Sequence, residues 1–283
     1  MFAKTEMKKS IQFLLFLLLL NDLCSSAQSK HDVSPKKTEQ GMAIYNNMAF
    51  LFYDTGICKV FDLKKKQYVR EFSLGSKSVN NHANCACFGK NKFLNSEFPL
   101  LYISECRPPQ RCFVECLTDT GSVLVQTIII KRKGVNAKSY NWLVDNKREV
   151  LYTIGRRKSD VNPGSSLHRI NKYRIPELRE GKNVILTDKD VLDSFDIEFP
   201  NMLQGGTIKG NYLYLPAGLH ENASNKKEKE RTLIVVNLKT HKIERKIDLR
   251  GVTKKEPEDC DFHKGKLILY CGQSGGLCKI PYK

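Results

Sequence analysis

Nine residues that could bind a ligand lie directly before, or at the start of, short apolar segments of the chain. Together they supply one imidazole, three carboxylates, four amides and the only tryptophan. Side chains of these types suit a hydroxyl-rich or cationic ligand, and the carboxylate and amide oxygens could also ligate Ca²⁺. No other cofactor is expected. The candidate ligand-binding residues are Gln40, His82, Asn84, Asn141, Trp142, Gln204, Glu256, Glu258 and Asp259.

The segments that must position these residues have the composition of β-strands. Stretches rich in Val, Ile, Leu, Tyr and Phe, such as 48–53, 100–104 and 212–215, alternate with turns rich in Gly, Asn, Asp, Pro and Lys. Few stretches show helical periodicity over the dozen or so residues that a helix assignment would need. The sequence therefore predicts an all-β fold.

These strand-like segments recur in five units. The residues Gln, Gly, Ile and Asn recur at one offset of 164 positions, in the segments that open at Gln40 and Gln204. The same frame places further units near Asn84, Tyr140 and Glu258. Repeats of this length, with four antiparallel strands each, are typical of β-propeller blades. We predict a five-bladed β-propeller of four-stranded antiparallel blades, with a six-bladed propeller as the alternative.

The last unit stops at Lys283 after its third strand, so a segment before Gln40 is expected to supply the missing strand and close the ring. In a propeller the first strand of each blade lines the central channel. The nine candidate residues should therefore converge on one mouth of that channel. The alternative is that these polar side chains only satisfy backbone groups and channel water.

The N-terminus has the pattern of a signal peptide. Lysines at positions 4, 8 and 9 precede an apolar run, 11–20, that is interrupted only by Gln12. A run of about ten residues is too short for a transmembrane helix, which needs roughly twenty. No other stretch of the sequence is apolar for long enough to span a membrane, so no transmembrane segment is expected in the mature chain.

Small residues follow this run, and we expect cleavage of the signal peptide, 1–27, after Ala27. Residues 28–283 then form a single propeller domain that is exported, either to the periplasm or out of the cell. The alternative is a lipoprotein anchored through Cys24. The three residues before that cysteine, Asn-Asp-Leu, do not fit a lipoprotein site.

The chain is strongly basic, with a formal net charge of +17. Its lysine and arginine clusters, such as 64–66, 131–133 and 254–255, fall between strand-like segments, where they are typical of solvated turns and protected sheet edges. A nucleic-acid surface would more often interleave aromatic residues with the basic ones. We therefore expect a small molecule, a glycan or an envelope protein as the partner, and no nucleic acid.

Nine cysteines remain after cleavage, and because the number is odd at least one cannot pair within the chain. Cys106 and Cys112 flank a segment that resembles a hairpin tip, so a disulfide across the strands is geometrically possible. Cys58, Cys112 and Cys278 occupy equivalent third-strand positions of their units. That equivalence favours small, buried core residues.

Several motifs carry a resemblance to a known group of proteins. They are His82-Ala83-Asn84, Gln204-Gly205-Gly206 and Glu256-Pro257-Glu258 at the unit openings, with 98–102 and the closing 272–276. They resemble the TolB-like or NHL-like exported β-propeller proteins of gut Bacteroidetes, over nearly the whole mature chain. Many members of that group are six-bladed. The resemblance implies an exported propeller and leaves its ligand open.

Two functional hypotheses follow. The first is a non-catalytic propeller that binds a glycan, a peptide or a partner protein at the channel mouth. The second is a calcium-dependent hydrolase or lactonase, in which Glu258 or Asp259 with Asn84 would hold the cation, and His82 or Glu256 would act as the base. Binding is favoured, because neither a nucleophile elbow nor a zinc-protease motif occurs. Nucleotide hydrolysis on a five-bladed frame is a third possibility.

Overall fold

The computed structural model describes residues 38–78, 81–93, 95–132, 141–156, 167–198, 202–223, 230–272 and 275–281. The predicted signal peptide, and the segment expected to complete the last blade, lie outside these ranges. The described residues form strands, turns and three short 3-10 turns, and among them no helix is long and apolar enough to cross a membrane.

Twenty strands in this part of the chain form five sheets. In chain order they are β1 (Glu39–Tyr45), β2 (Met48–Tyr53), β3 (Ile57–Asp62), β4 (Gln67–Ser73), β5 (Cys85–Lys92), β6 (Pro99–Ser104), β7 (Cys112–Leu117), β8 (Ser122–Ile130), β9 (Asn141–Asp145), β10 (Val150–Arg156), β11 (Leu167–Arg174), β12 (Asn183–Leu186), β13 (Val191–Glu198), β14 (Thr207–Lys209), β15 (Tyr212–Ala217), β16 (Thr232–Asn237), β17 (Lys242–Asp248), β18 (Pro257–His263), β19 (Lys266–Cys271) and β20 (Gly276–Lys279).

The sheets are the five blades of a β-propeller, which confirms the predicted fold. Blades 1 to 4 are antiparallel sheets of β1–β4, of β5–β8, of β9, β10, β11 and β13, and of β14–β17. Blade 5 contains β18, β19 and β20 within the described residues. The first strands contact one another around the ring in the order β18, β1, β5, β9, β14 and back to β18. They therefore enclose the central channel.

Burial decreases from the channel to the rim of each blade. The second strand of blade 1, Met48–Tyr53, is buried along almost its whole length because it lies between blade neighbours on both faces. In the third strand, Ile57–Asp62, partly buried and buried residues alternate, as the two-residue period of a strand requires. The outermost strand of blade 4, Lys242–Asp248, is mostly exposed, and its charged residues protect that edge.

Apolar side chains fill all five interfaces between neighbouring blades. The buried clusters contain Phe50 and Phe88 between blades 1 and 2, Trp142 and Cys112 between blades 2 and 3, Ile170 and Leu215 between blades 3 and 4, Leu233 and Leu269 between blades 4 and 5, and Tyr270 and Met42 between blades 5 and 1. Because the last interface is packed like the other four, blade 5 meets blade 1 and the ring is closed.

One strand departs from the regular blade pattern. β12 belongs to the connection between β11 and β13 of blade 3, yet it pairs in parallel with β8 at the outer edge of blade 2, from Asn183 opposite Thr127 to Leu186 opposite Ile130. Blade 2 therefore has a fifth strand. Backbone hydrogen bonds of this strand tie the rims of blades 2 and 3 together.

A single carboxylate bonds the inner strands across the channel. Asp259 of β18 has 0% exposure, and its two oxygens accept four backbone N–H groups. Oδ1 accepts from Gly206 at 2.6 Å and Cys260 at 2.8 Å, and Oδ2 accepts from Met42 at 2.8 Å and Ala86 at 3.2 Å. Burial raises the pKa of this carboxyl well above its ordinary value, whereas the four donors favour the ionised form. Asp259 thus connects blades 1, 2, 4 and 5.

A second aspartate of β18 repeats this arrangement two positions further along. The Asp261 carboxylate accepts from the backbone N–H groups of Ile44 and Phe262, both at 2.7 Å, and from the Thr207 hydroxyl at 3.1 Å. Burial raises its pKa to about 6. Because side chains two residues apart lie on the same face of a strand, both aspartates point into the channel.

We predict that Asp259→Asn lowers the free energy of unfolding by about 2–4 kcal/mol, because the amide NH₂ must face two backbone donors that then lose their acceptor. Urea denaturation, followed through the fluorescence of the single tryptophan, measures the change. Asp119→Asn, in the exposed turn between β7 and β8, makes the same change of charge and should leave the midpoint unaltered. Equal midpoints for the two variants would contradict the role given to Asp259.

Candidate functional site

Amide side chains at the openings of the inner strands form a hydrogen-bonded chain around one mouth of the channel. Asn84 Nδ2 donates to Asn141 Oδ1 at 2.7 Å, and Asn141 Nδ2 donates to the carbonyl oxygen of Gln204. Gln204 Nε2 donates to Glu256 Oε1 at 2.6 Å. These bonds connect blades 2, 3, 4 and 5, so four of the predicted site residues do meet at one mouth, as the propeller topology requires.

A histidine, an aspartate and an arginine form a second group at this mouth. His82 Nδ1 is hydrogen-bonded to the Asp54 carboxylate, and a guanidinium nitrogen of Arg107 lies 3.4 Å from Asp54 Oδ2. Asp54 and Arg107 were not predicted. Both follow even-numbered strands, β2 and β6, which run antiparallel to the inner strands and so return to the mouth where those strands begin. A search of the second-to-third-strand loops would have found them.

Glu258 is an enclosed acid of the mouth. Its carboxylate accepts no hydrogen bond from the other described residues. The residue has 4% exposure, and within the described residues no hydrogen bond to its carboxylate is formed. Burial first, and then the nearby carboxylates of Glu256 and Glu39, raise the pKa of Glu258 well above its ordinary value. A raised pKa keeps a buried carboxyl neutral until a positive charge or a set of donors compensates it.

The space for this carboxylate exists because residue 272 is a glycine. Gly272 follows β19 and donates its N–H to the carbonyl oxygen of Glu256 at 2.9 Å. A Cβ atom at this position would overlap the Glu258 carboxylate. Gly272 therefore forms part of the wall of the site, whereas in the sequence it belonged only to a motif of the family resemblance.

Glu256 lies nearer to solvent than Glu258 and is half-buried. Burial raises the pKa of Glu256, and the opposing influences are the hydrogen bond from Gln204 and the positive potentials of His220 and His82. The half-buried His220 therefore belongs to this mouth as well.

Four of the predicted ligand-binding residues are buried by the surrounding strands. Trp142 has 0% exposure and packs between blades 2 and 3, because it follows Asn141 by one position and so points to the opposite face of β9. Asn141 and Asp259 point into the channel, also with 0% exposure, and their polar atoms bond to neighbouring strands. Gln40 is buried in β1. The accessible predicted residues are His82 and Glu256.

The suggested Cys106–Cys112 disulfide is not formed, since both thiols are free. The strand register explains this, because Cys112 is paired with Ser104, which leaves Cys106 in the tip beyond the end of β6. Cys58 and Cys112 are fully buried, in agreement with their predicted core role. In the ranges that the structure describes, no group of three or more His, Cys, Asp or Glu side chains is arranged to hold a metal ion.

Hairpin turns line the opposite mouth of the channel and contact one another between blades. His263 Nε2 of blade 5 lies 3.2 Å from Asn47 Oδ1 of blade 1. The Lys209 ammonium of blade 4 lies 4.1 Å from the centroid of the Phe262 ring of blade 5. This mouth is lined by basic and amide residues, whereas the first mouth holds the acidic group.

The acidic mouth contrasts with the charge of the whole protein. Its carboxylates belong to Glu39, Asp54, Glu256 and Glu258, and their field is opposed locally by Arg107 and the two histidines. In a chain of net charge +17, such a mouth is a confined negative region that attracts cations more strongly than the surrounding surface does. Its geometry suits a ligand that carries a positive charge and several hydrogen-bond donors.

We predict that Glu258→Gln stabilises the protein as the pH rises. In the wild type the folded state retains the Glu258 proton while the unfolded chain loses it above its ordinary pKa of 4.5, so stability falls with rising pH. The glutamine variant lacks this loss. Its free energy of unfolding should match that of the wild type near pH 4 and exceed it by about 1–3 kcal/mol at pH 8.

Urea midpoints at pH 4, 6 and 8 measure this difference. Glu97→Gln, at an exposed position, changes the net charge equally and controls for long-range effects, and its difference from wild type should not vary with pH. A Glu258→Gln curve parallel to that of the wild type would show that the carboxyl has an ordinary pKa.

Neither a protein-family model nor a curated protein sequence matches the chain. Among solved structures it is similar to hydrazine synthase of Kuenenia stuttgartiensis (10% identity, TM-score 0.41, over 82% of this chain and 61% of that one). It is also similar to Raptor of Chaetomium thermophilum (12%, 0.44, over 83% and 19%) and to the WD40 domain of Neurospora crassa Pan2 (8%, 0.41, over 87% and 59%). The chain spans less than two thirds of the length of each. At these identities each likeness concerns the fold alone.

Proposed function

We propose that this protein is an exported, non-catalytic β-propeller that binds a ligand bearing a protonated amine at the acidic mouth of its channel. The observation that carries the proposal is the Glu258 carboxyl, which is buried beside Glu256 and has no hydrogen-bond partner among the described residues. An ammonium group supplies both the positive charge and the N–H donors that would satisfy such a group. A glycan, a peptide or a partner protein could each present it.

The remaining residues of the mouth fit recognition of the rest of such a ligand. His82 and Glu256 are half-buried and offer an imidazole and a carboxylate towards solvent, and the Arg107 guanidinium lies beside Asp54. Their positions are fixed by hydrogen bonds to neighbouring blades. A site that is already ordered loses little conformational entropy when the ligand binds.

The alternative of a calcium-dependent hydrolase loses support from the state of Asp259. That residue was a candidate cation ligand, but both of its oxygens already accept two backbone N–H groups each. To ligate Ca²⁺ it would have to release the bonds that hold the inner strands. Ca²⁺ is nevertheless included among the ligands that the binding experiment tests.

Export is supported by the N-terminal sequence pattern and by the resemblance to exported TolB-like or NHL-like propellers. We predict that the secreted or periplasmic protein begins at Gln28, because small residues up to Ala27 follow the apolar run. N-terminal sequencing of the chain recovered from a secretion-competent host tests this. Replacing Leu17 and Leu18 by Arg should retain the chain inside the cell, whereas an uncleaved N-terminus in the wild-type chain would contradict export by this route.

Binding is tested by thermal unfolding in the presence of spermidine, lysine ethyl ester, maltose and CaCl₂. A ligand at a hundred times its Kd stabilises the folded state by about 2.7 kcal/mol. We expect a shift with the two amines. Because a neutral Glu258 must release its proton to pair with an ammonium group, the amine affinity should increase from pH 5 to pH 8.

Two variants and a matched control locate the site. Glu258→Gln and Gly272→Ala should abolish the amine-dependent shift, the first by removing the charge and the second by displacing the carboxylate. Gly251→Ala introduces a methyl group where no atom lies within 4 Å and should retain the shift. A shift retained in Glu258→Gln would place binding elsewhere, and a shift with CaCl₂ alone would favour the hydrolase hypothesis.

A further inference from the structure

Two cysteines of the last described hairpin have their sulfur atoms in contact. Cys271 ends β19 and Cys278 lies in β20, and their Sγ atoms are 3.9 Å apart, with the Cys271 thiol donating to Cys278. The register pairs Cys271 with Gly276 and Leu269 with Cys278, so both thiols lie on one face of the hairpin, offset by two residues.

Other cysteines of the propeller have a different environment. The thiols of Cys85, Cys116 and Cys260 each donate to a backbone carbonyl oxygen at 3.4–3.6 Å. They behave as small polar core residues with a satisfied donor. Cys271, by contrast, has another sulfur as its acceptor.

The two thiols of the pair differ in access and acidity. Cys271 has 0% exposure, whereas Cys278 is partly exposed. The hydrogen bond from the Cys271 thiol lowers the pKa of Cys278 below its ordinary value. Cys278 is therefore the more readily ionised thiol of the pair, and the thiolate is the form that attacks disulfides. It is also the member of the pair that a solvent-borne reagent can reach.

We propose that Cys271 and Cys278 form a reversible disulfide by exchange with a low-molecular-weight disulfide. The Cys278 thiolate attacks one sulfur of that disulfide, forming a mixed disulfide and releasing one thiolate. Cys271 then loses its proton and attacks the Cys278 sulfur, which releases the second thiolate. Two protein thiols are oxidised, one small disulfide is reduced to two thiols, and the protons pass to the leaving groups.

Formation of the bond requires a small movement of the hairpin. The sulfur atoms must approach from 3.9 Å to about 2.05 Å, and the offset register means that side-chain rotation is accompanied by a shift of β20 relative to β19. Gly272, the next residue after Cys271, lies against the Glu258 carboxylate. The thiol pair and the acidic mouth therefore share a wall, although the disulfide proposal does not depend on the proposed ligand.

The sequence provides a direct assay. Trypsin cleavage after Lys266 and Lys279 yields the peptide 267–279, which contains both cysteines, and cleavage after Lys255 and Lys264 yields 256–264, which contains only Cys260. The folded protein is incubated with oxidised glutathione at pH 7.5, unfolded in urea with iodoacetamide, digested and analysed by mass spectrometry. A second sample is first treated with dithiothreitol.

In the oxidised sample we expect peptide 267–279 to be unalkylated and about 2 Da lighter than the mass of the same peptide with two free thiols. After reduction it should be doubly alkylated. Peptide 256–264 should be alkylated in both samples. Cys278→Ser should prevent oxidation of Cys271, and Cys260→Ser should leave the 267–279 disulfide unchanged. Double alkylation of 267–279 in the oxidised wild type, or a disulfide from either cysteine to a different peptide, would overturn the proposal.

Discussion

Asp259 is fully buried in the centre of the ring, where the inner strands of the blades meet. A buried carboxylate is costly unless donors surround it, and here the donors are backbone N–H groups of inner strands from four blades. The inner strands can donate these hydrogen bonds together only when they are arranged in a ring around the channel. The five apolar interfaces supply most of the attraction between blades, whereas this carboxylate specifies how far the inner strands approach one another.

Two neighbouring carboxyl groups of one strand have opposite environments. Asp259 is fully satisfied by four donors, while Glu258, one position earlier, is nearly as buried and has no hydrogen bond to its carboxylate within the described residues. The register of β18 against β19 shifts between Pro257 and Asp259, so Glu258 lies at an irregular point of the strand. Its carboxylate lies beside Gly272 at the mouth, whereas the Asp259 carboxylate enters the channel. The fold thus satisfies one acid with four donors and leaves the carboxylate of the preceding residue without a donor among the described residues. That contrast is the reason for placing the ligand at Glu258.

The number of blades and the order of strands could be predicted from the sequence, because each blade repeats its own apolar runs and polar opening, as at Gln40 and Gln204. The direction in which a single side chain points could not be predicted in this way. Trp142 was assigned to the mouth, but a one-residue step along β9 turns it into the core. Asp54, Arg107 and β12 escaped prediction because their positions depend on loops and on pairing between distant segments, which local composition does not encode.

The long sequence separation between Asp259 and its donors also governs when the ring can be completed. The carboxylate bonds to Met42 and Ala86, which precede it by 217 and 173 positions. During synthesis these N–H groups emerge long before their acceptor, so the early blades remain an open arc with unsatisfied inner strands until β18 follows. Such late, long-range closure makes folding slow, since loop-closure entropy is lost before the final contacts form. A chain truncated before residue 259 should therefore yield blades that associate with other copies or with chaperones rather than a smaller propeller.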